Sequence, residues 1–396
     1  MAGAGVPLRE LGLIILVAAV LTYLSTGPVR SILVRTGQIA EIRERDVHTQ
    51  PTPSLGGLAM FTGFMSAVFL AMQLPALTRG FAPVTPEMTA VVAGAFIIVV
   101  VGAIDDMFEL DALTKFAGQV LAALAMSLLG LSFSQFYVPF GGGTTLILDP
   151  VQSVIVSTIF IVALVNAFNF VDGIDGLAAG LGLIAGASVL IYALTVLHDQ
   201  GGTVSAYPPA IICAALVGMC GGFLPHNFEP ARIFMGDSGA MLIGLLLAAV
   251  SISASGKINL SLYGAADVVA LMSPVIVVLA AIALPVIDLV MAVIRRVAAG
   301  QSPFSADRKH IHHRLLALGH THRRTVLVLY MWVSAFAFGA VSYSVFPAVV
   351  ATGILVSLIV IAAVATTIPL MEGKIGPVGE DLDDAAELAD HGRGTG

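Results

Sequence analysis

Residues 88–106 read MTAVVAGAFIIVVVGAIDD, and this stretch decides the fold because it joins an apolar run directly to two carboxylates. The apolar part is close to the roughly 20 residues that a helix needs to cross a bilayer. Asp105 and Asp106 follow it without a polar linker. A carboxylate at the edge of hydrocarbon is costly and usually functional. The stretch therefore predicts a membrane-spanning helix that ends at a chemically active surface.

The composition of the whole chain indicates an integral membrane protein. Its 396 residues are 58% hydrophobic and only 11% charged, with a mean hydropathy of +0.97, whereas soluble domains carry about 25% charged residues. The apolar runs predict an all-α polytopic fold of about eleven transmembrane helices. These spans cover residues 8–27, 55–76, 88–104, 114–132, 151–168, 177–197, 208–224, 238–254, 268–294, 326–344 and 348–370.

Lysine and arginine set the predicted orientation of these spans. An odd number of spans places the termini on opposite sides, and one face then receives 15 of the 18 lysines and arginines. The positive-inside rule makes that face cytoplasmic, with the N-terminus outside and the C-terminus in the cytoplasm. We therefore expect a multi-pass protein of the inner (plasma) membrane. Its active site should face the cytoplasm, because the loops on that side hold nearly every reactive side chain.

Two segments stand apart from the spans. Gly141-Gly142-Gly143, with short apolar flanks, predicts a short periplasmic hairpin. Residues 371–396 hold seven acids against two bases, a composition that predicts a disordered cytoplasmic tail. Residues 1–370 are expected to form a single integral-membrane domain.

Three motifs offer carboxylates for a divalent metal and a phosphorylated substrate. Adjacent carboxylates raise each other's proton affinity unless a cation intervenes, and carboxylate and amide oxygens are suitable ligands for Mg²⁺. Helix caps, interhelical polar contacts and turns are the structural alternatives. The motifs are Gly102-Ala103-Ile104-Asp105-Asp106, with Lys115 able to reach a phosphate; Asn166-Ala167-Phe168-Asn169-Phe170-Val171-Asp172-Gly173-Ile174-Asp175-Gly176; and Met235-Gly236-Asp237-Ser238-Gly239.

A fourth motif is basic and rich in histidine. Residues 303–314 read PFSADRKHIHHR. Three histidines could chelate a transition metal, but the surrounding positive charge favours an anion. We assign this loop to a sugar diphosphate; the alternative is a basic loop that touches anionic lipid. A proline- and glycine-rich stretch at residues 45–57 could close over a substrate or simply shape a fixed turn.

Taken together, the motifs resemble those of the polyprenyl-phosphate N-acetylhexosamine-1-phosphate transferases, the membrane family that includes MraY and WecA. The resemblance extends over about residues 8–370. The His-Ile-His-His form resembles the WecA branch, and the length and acidic tail resemble its actinobacterial members, which would use decaprenyl phosphate. The matching motifs are PTPSLGG at residues 51–57, Asp105-Asp106, the stretch from Asn166 to Gly176, Met235-Gly236-Asp237-Ser238-Gly239, and His310-Ile311-His312-His313.

The resemblance implies a reaction. N-acetylglucosamine-1-phosphate would pass from UDP-N-acetylglucosamine (UDP-GlcNAc) to a polyprenyl phosphate, with release of UMP, and Mg²⁺ or Mn²⁺ would be required. The lipid product would begin a cell-wall or surface glycan such as arabinogalactan. The implied partners are UDP-GlcNAc, polyprenyl phosphate, the lipid bilayer and a second copy of the chain in a homodimer, without nucleic acid. We favour direct attack, because a phosphate monoester is already ionised near neutral pH.

The resemblance also implies roles for single residues. The expected catalytic carboxylates are Asp105, Asp106, Asp172 and Asp175; the expected metal ligands are Asp237, Asn169 and Asp172; Lys115 would hold the lipid phosphate; and Arg308, His310, His312, His313 and Asn166 would bind the UDP-sugar.

Two alternative functions stay open at this point. The same chemistry could act on another UDP-sugar, as in an MraY-like phospho-MurNAc-pentapeptide transferase or a teichoic-acid starter enzyme. A secondary transporter is the alternative from another class, although transporters place their charged groups near the middle of the membrane.

Overall fold

The computed structural model describes residues 6–37, 52–138, 144–199, 202, 204–255, 274–280, 283 and 321–371. Over these residues it contains ten α-helices with defined bounds, two short 3₁₀ helices (Thr78–Gly80 and Val204–Ala206) and one two-stranded sheet, and residues 274–280 and 283 are also helical. The helices are α1 (Leu8–Thr36), α2 (Gly56–Gln73), α3 (Glu87–Phe108), α4 (Ala112–Leu128), α5 (Pro150–Val171), α6 (Leu177–Asp199), α7 (Tyr207–Asn227), α8 (Gly236–Ser255), α9 (His322–Val345) and α10 (Ala348–Met371); the strands are β1 (Gln135–Val138) and β2 (Thr144–Ile147).

The predicted all-α membrane fold is confirmed. Nine of the described helices are long and apolar enough to cross a bilayer, and each coincides with a predicted span. A tenth span was predicted where α4 lies, and this apolar helix is shorter than the others. The eleventh, residues 268–294, lies outside the described residues except for helical residues 274–280 and 283. The orientation of the helices stays a prediction, and the predicted acidic tail lies outside the described residues apart from Met371.

The predicted hairpin is also confirmed. β1 and β2 pair in antiparallel fashion, from Gln135 opposite Ile147 to Val138 opposite Thr144. Asp149 follows at once, and its carboxylate caps the first amides of α5. Because α4 leads from Asp105 towards the hairpin, the two-stranded sheet and the paired aspartates lie at opposite ends of the bundle.

α8 is the buried centre of the bundle. After Asp237 it carries no charged residue, and nearly all of it is enclosed by α2, α3, α5, α6 and α7. Inside lipid, close van der Waals packing must replace the hydrophobic effect that drives helices together in water. Gly57 and Gly102 allow such packing, since a Cβ at either position would collide with the first turn of α8. The start of α8 is therefore held against α2 and α3.

α9 and α10 form a pair at the edge of the bundle. α9 packs along α6, and α10 packs on α9. Most described side chains of α10 are exposed, including Val349, Val356 and Ile361. An apolar exposed face of this kind suits contact with lipid chains.

Candidate active site

α3 ends in the two aspartates that the sequence singles out. Asp105 is buried, and its carboxylate accepts a 2.8 Å hydrogen bond from the Leu110 amide. Glu109 ends the helix in a left-handed conformation with φ of 48°. α4 begins directly afterwards, capped by the carboxylate of Asp111. This short connection brings Lys115, in the first turn of α4, beside Asp105.

Asp106 caps the N-terminus of α8. One carboxylate oxygen accepts a 2.8 Å hydrogen bond from the Asp237 amide, and the other accepts from the Ser238 amide at 3.2 Å and the Ser238 hydroxyl at 2.9 Å. A carboxylate is favoured there because the first amides of a helix lack partners and the helix dipole is positive at that end. Gly236 has φ of 71°, and a Cβ on it would lie 2.5 Å from the Asp106 carboxylate. Asp106 therefore sets the position of Asp237.

Lys115 bridges two carboxylates. Its ammonium nitrogen lies 2.8 Å from Asp105 Oδ2 and forms a second ion pair with Asp237 Oδ2. The three groups come from α3, α4 and α8, and the Lys115 side chain is only 20% exposed. Opposite charges that are partly shielded from water attract each other more strongly than exposed pairs do.

Asp172 lies at the C-terminal end of α5. Burial, followed by the negative charges of Asp237, Asp106 and Asp175, raises the pKa of Asp172 to about 8. No residue in the described part of the chain donates a hydrogen bond to this carboxylate. We name Asp105, Asp106, Asp172 and Asp237 the acidic cluster. Its excess of negative charge around Asp172 favours a bound cation.

The oxygen donors of this region suit Mg²⁺ or Mn²⁺. Asp237 and Asp172 offer carboxylate oxygens, and Asn169, in the last turn of α5, carries an amide oxygen. Mg²⁺ commonly takes one or two carboxylates together with substrate phosphates. Within the described ranges, no three His, Cys, Asp or Glu side chains converge as a ready-made metal site. A metal would therefore compete with Lys115 for the Asp237 oxygen and would draw further ligands from substrate.

Asp175 contacts the loop of residues 228–235 that precedes α8. Its buried carboxylate accepts a 2.9 Å hydrogen bond from the Ala231 amide. This contact ties the turn of residues 172–176 to the segment that leads into α8. The predicted catalytic role of Asp175 stays a prediction, and the contact itself is a structural one.

The proline- and glycine-rich stretch before α2 meets the same loop. Ser54 forms a parallel bridge with Phe234. The amides of Gly56 and Gly57 donate to the carbonyls of Phe234 and Met235 at 3.0 and 2.9 Å. The described end of this stretch is thus a fixed turn beside the start of α8, and closure over a substrate stays a prediction.

Asn166 lies within α5, about 9 Å along the helix from Asp172. Its amide donates to Gln119 Oε1 at 2.6 Å and to the Val162 carbonyl at 2.8 Å. This is an interhelical polar contact, the structural alternative for its motif, and its predicted contact with a UDP-sugar stays a prediction. Gln119 was not predicted, because a single glutamine in an apolar helix forms no pattern.

The histidine-rich loop lies outside the described residues. The chain is described again from Thr321, which caps α9, and Arg323 then donates from Nε to the Glu229 carbonyl at 3.0 Å. The start of α9 is thereby docked on the 228–235 loop. The predicted UDP-sugar ligands that lie outside the described residues are Arg308, His310, His312 and His313.

A helical membrane bundle with an acidic cluster and a lysine at one end is the arrangement expected of a membrane transferase. The sequence shows which family this is. The chain belongs to glycosyl transferase family 4, whose pattern matches residues 88–255. That range contains the whole acidic cluster and Lys115. The resemblance inferred from the motifs is therefore confirmed.

Individual relatives are named for one activity. A Mycobacterium tuberculosis (strain ATCC 25618 / H37Rv) protein named decaprenyl-phosphate N-acetylglucosaminephosphotransferase is 53% identical over 381 residues, which cover 96% of this chain and 94% of that protein. A Mycolicibacterium smegmatis protein of the same name is 52% identical over 95% of this chain and 92% of its own length. The Escherichia coli (strain K12) undecaprenyl-phosphate alpha-N-acetylglucosaminyl 1-phosphate transferase is 28% identical over 76% of this chain and 75% of its own length.

Proposed function

We propose that this chain is an enzyme that transfers N-acetylglucosamine-1-phosphate from UDP-GlcNAc to decaprenyl or undecaprenyl phosphate and releases UMP. The observation that carries the proposal is the acidic cluster around Lys115, in a chain about half identical to proteins named for this activity. Phosphoryl transfer depends mainly on charge neutralisation and positioning. A lysine and several carboxylates at one end of the bundle are suited to both tasks.

Mg²⁺ or Mn²⁺ is the proposed cofactor, with Asp237, Asp172 and Asn169 as its protein ligands. Bound there, the metal supplies positive charge that neutralises the diphosphate and the departing UMP. Lys115 stays paired with Asp105 and directs its ammonium group to the lipid phosphate. Asp105 therefore orients Lys115 and does not itself need to transfer a proton.

Asp106 has a positioning role in this proposal. Three donors at the start of α8 already occupy its carboxylate oxygens. A phosphate monoester carries about 1.5 to 2 negative charges near neutral pH, so the acceptor lipid needs no strong base. An oxygen of the lipid phosphate attacks the β-phosphorus of UDP-GlcNAc directly, and the bond between this phosphorus and the oxygen of UMP breaks.

The setting of the reaction follows from the predicted topology. The acidic cluster lies at the ends of α3 and α5 and at the start of α8, with Lys115 at the start of α4. A soluble nucleotide and a membrane lipid can meet at this end of the bundle. We assign this end to the cytoplasmic face of the plasma membrane. The histidine-rich loop would complete the UDP-sugar site, and a homodimer is carried over from the family resemblance.

The proposal is tested with purified protein, decaprenyl phosphate and Mg²⁺, by following UMP release and the mass of the lipid product. The nucleotide panel is UDP-GlcNAc, UDP-N-acetylgalactosamine, UDP-glucose and UDP-MurNAc-pentapeptide. We expect UMP with UDP-GlcNAc, and none after EDTA or without lipid phosphate. UMP from UDP-MurNAc-pentapeptide alone would move the chain to the MraY reaction, and no UMP from any donor would refute the proposed activity.

Secondary transport is less well supported. Transporters bind their cargo near the middle of the membrane, often between broken helices. Here the acidic cluster lies at helix ends, and the described part of α8 is continuous from Gly236 to Ser255. Uptake of a labelled sugar nucleotide into vesicles, without UMP release, would favour the transporter.

A further inference from the structure

The Gly176 peptide is held by side chains from two other helices. Gly176 has φ of 77°, a conformation that glycine adopts without strain. Its amide donates to Asn227 Oδ1 at 3.1 Å, at the end of α7. Its carbonyl accepts from the Tyr330 hydroxyl of α9 and from the Gly180 amide one turn further on.

Tyr330 fits a slot that α6 leaves for its ring. A Cβ on Gly180 would collide with the phenol of Tyr330, so the missing side chain makes the room. α9 packs along α6 and is docked at its start by the bond from Arg323 to Glu229. The Tyr330 hydroxyl is therefore held in place against the 172–176 turn.

The 172–176 turn sets the position of Asp172. Described residues donate no hydrogen bond to the Asp172 carboxylate, so its place depends on the backbone that carries it. Asp175, at the other end of the turn, is anchored by the Ala231 amide. The contacts of Gly176 come immediately after Asp175 and fix the end of the turn that leads into α6.

We propose that Tyr330 is a positioning residue for the transfer reaction: by holding the Gly176 carbonyl, it places Asp172 opposite Asp237. The inference rests on the proposed function, in which Asp172 and Asp237 share a divalent metal. Replacing a residue with this role should change the rate of transfer and the affinity for the metal, with little effect on the affinity for the UDP-sugar.

The test compares Tyr330→Phe with Tyr343→Phe. Both variants lose one hydroxyl from α9, and Tyr343 is a matched control because its exposed hydroxyl pairs only with Thr352 within the described chain, at 2.8 Å. We expect Tyr330→Phe to lower kcat about tenfold and to raise the Kd for Mn²⁺, measured by electron paramagnetic resonance, by about threefold or more. The KM for UDP-GlcNAc should stay within about twofold, and Tyr343→Phe should match the unchanged protein.

A second variant distinguishes loss of the Tyr330 contact from a general loss of stability. Gly180→Ala displaces the phenol without removing its hydroxyl, and it should lower kcat and weaken Mn²⁺ binding as Tyr330→Phe does. Unchanged kcat and Mn²⁺ binding in Tyr330→Phe, or losses that merely follow a lower Tm in both variants, would overturn the inference. Failure of the proposed function is recognised separately, because the unchanged protein would then release no UMP from UDP-GlcNAc.

Discussion

Lys115 links two carboxylates of the candidate active site. Its ammonium group contacts Asp105 and Asp237, so in the absence of metal it neutralises the carboxylate that is expected to bind Mg²⁺ or Mn²⁺. A divalent cation bound to the Asp237 carboxylate would repel the Lys115 ammonium group, because two positive charges at one carboxylate oppose each other. Metal binding should therefore release Lys115 from Asp237 and leave it free for the lipid phosphate.

Replacing this lysine should separate metal binding from transfer. In Lys115→Met we expect Mn²⁺ to bind more tightly, on the order of tenfold or ~1.4 kcal/mol, because its competitor for Asp237 is gone, while UMP release is lost. Electron paramagnetic resonance of Mn²⁺ and the UMP assay measure the two effects. Arg79→Met is the control, since it removes an exposed cation at the other end of the bundle. Weaker Mn²⁺ binding in Lys115→Met would contradict the proposal that the metal replaces Lys115 at Asp237.

Asp172 should make the stability of the metal-free protein depend on pH. Its pKa is about 8 in the folded protein and ~3.9 in an unfolded chain. Between these values the folded state binds more protons than the unfolded state, so stability falls as pH rises towards about 8. With EDTA present, we expect Tm to fall from pH ~6 to pH ~9, and Asp172→Asn to flatten this dependence. Asp149→Asn, far from the acidic cluster, should keep the original dependence of Tm on pH. The same dependence in Asp172→Asn would refute its assignment to Asp172.

At the scale of elements, the start of α8 is assembled from several parts of the chain. Asp106 of α3 caps it, Gly57 of α2 allows its close approach, and the 228–235 loop delivers it. A helix that begins inside the bundle needs a partner for its first amides, because an unpaired amide away from water is costly. The same contacts that stabilise α8 therefore place Asp237.

Variants of Asp106 distinguish a cap from a catalytic base. Asp106→Ala leaves the Asp237 and Ser238 amides without their acceptor, and we expect it to cost about 0.5–2 kcal/mol in stability together with most of the activity. Asp106→Asn keeps an acceptor oxygen and should retain a larger share of both. The free energy of unfolding and the UMP assay provide the comparison, with Ser238→Ala as a milder variant that loses only the hydroxyl bond. A general base would instead predict that Asn and Ala variants are equally inactive while stability is unchanged.

At the scale of the whole molecule, the apolar runs were enough to predict the helices and the glycine run was enough to predict the hairpin. The sequence also singled out Asp105, Asp106 and Asp237 because each follows or precedes an apolar run. Their pairing was not predictable: Asp106 meets α8 and Lys115 meets Asp237 across more than 100 residues of chain. Tyr330 and Gln119 were missed for a related reason, since their partners lie on other helices and neither belongs to a local pattern.

The most direct test of the central claim is Mn²⁺ binding and UMP release by Asp237→Asn, with Asp149→Asn as the matched control. Asp106 accepts from the backbone amide of Asp237, so the variant should keep the cap of α8 and its fold. We predict that Asp237→Asn keeps its helix content and Tm within a few degrees but loses more than about 100-fold in the rate of UMP release and most of its Mn²⁺ affinity. A folded Asp237→Asn protein that binds Mn²⁺ normally and releases UMP at the original rate would contradict the account.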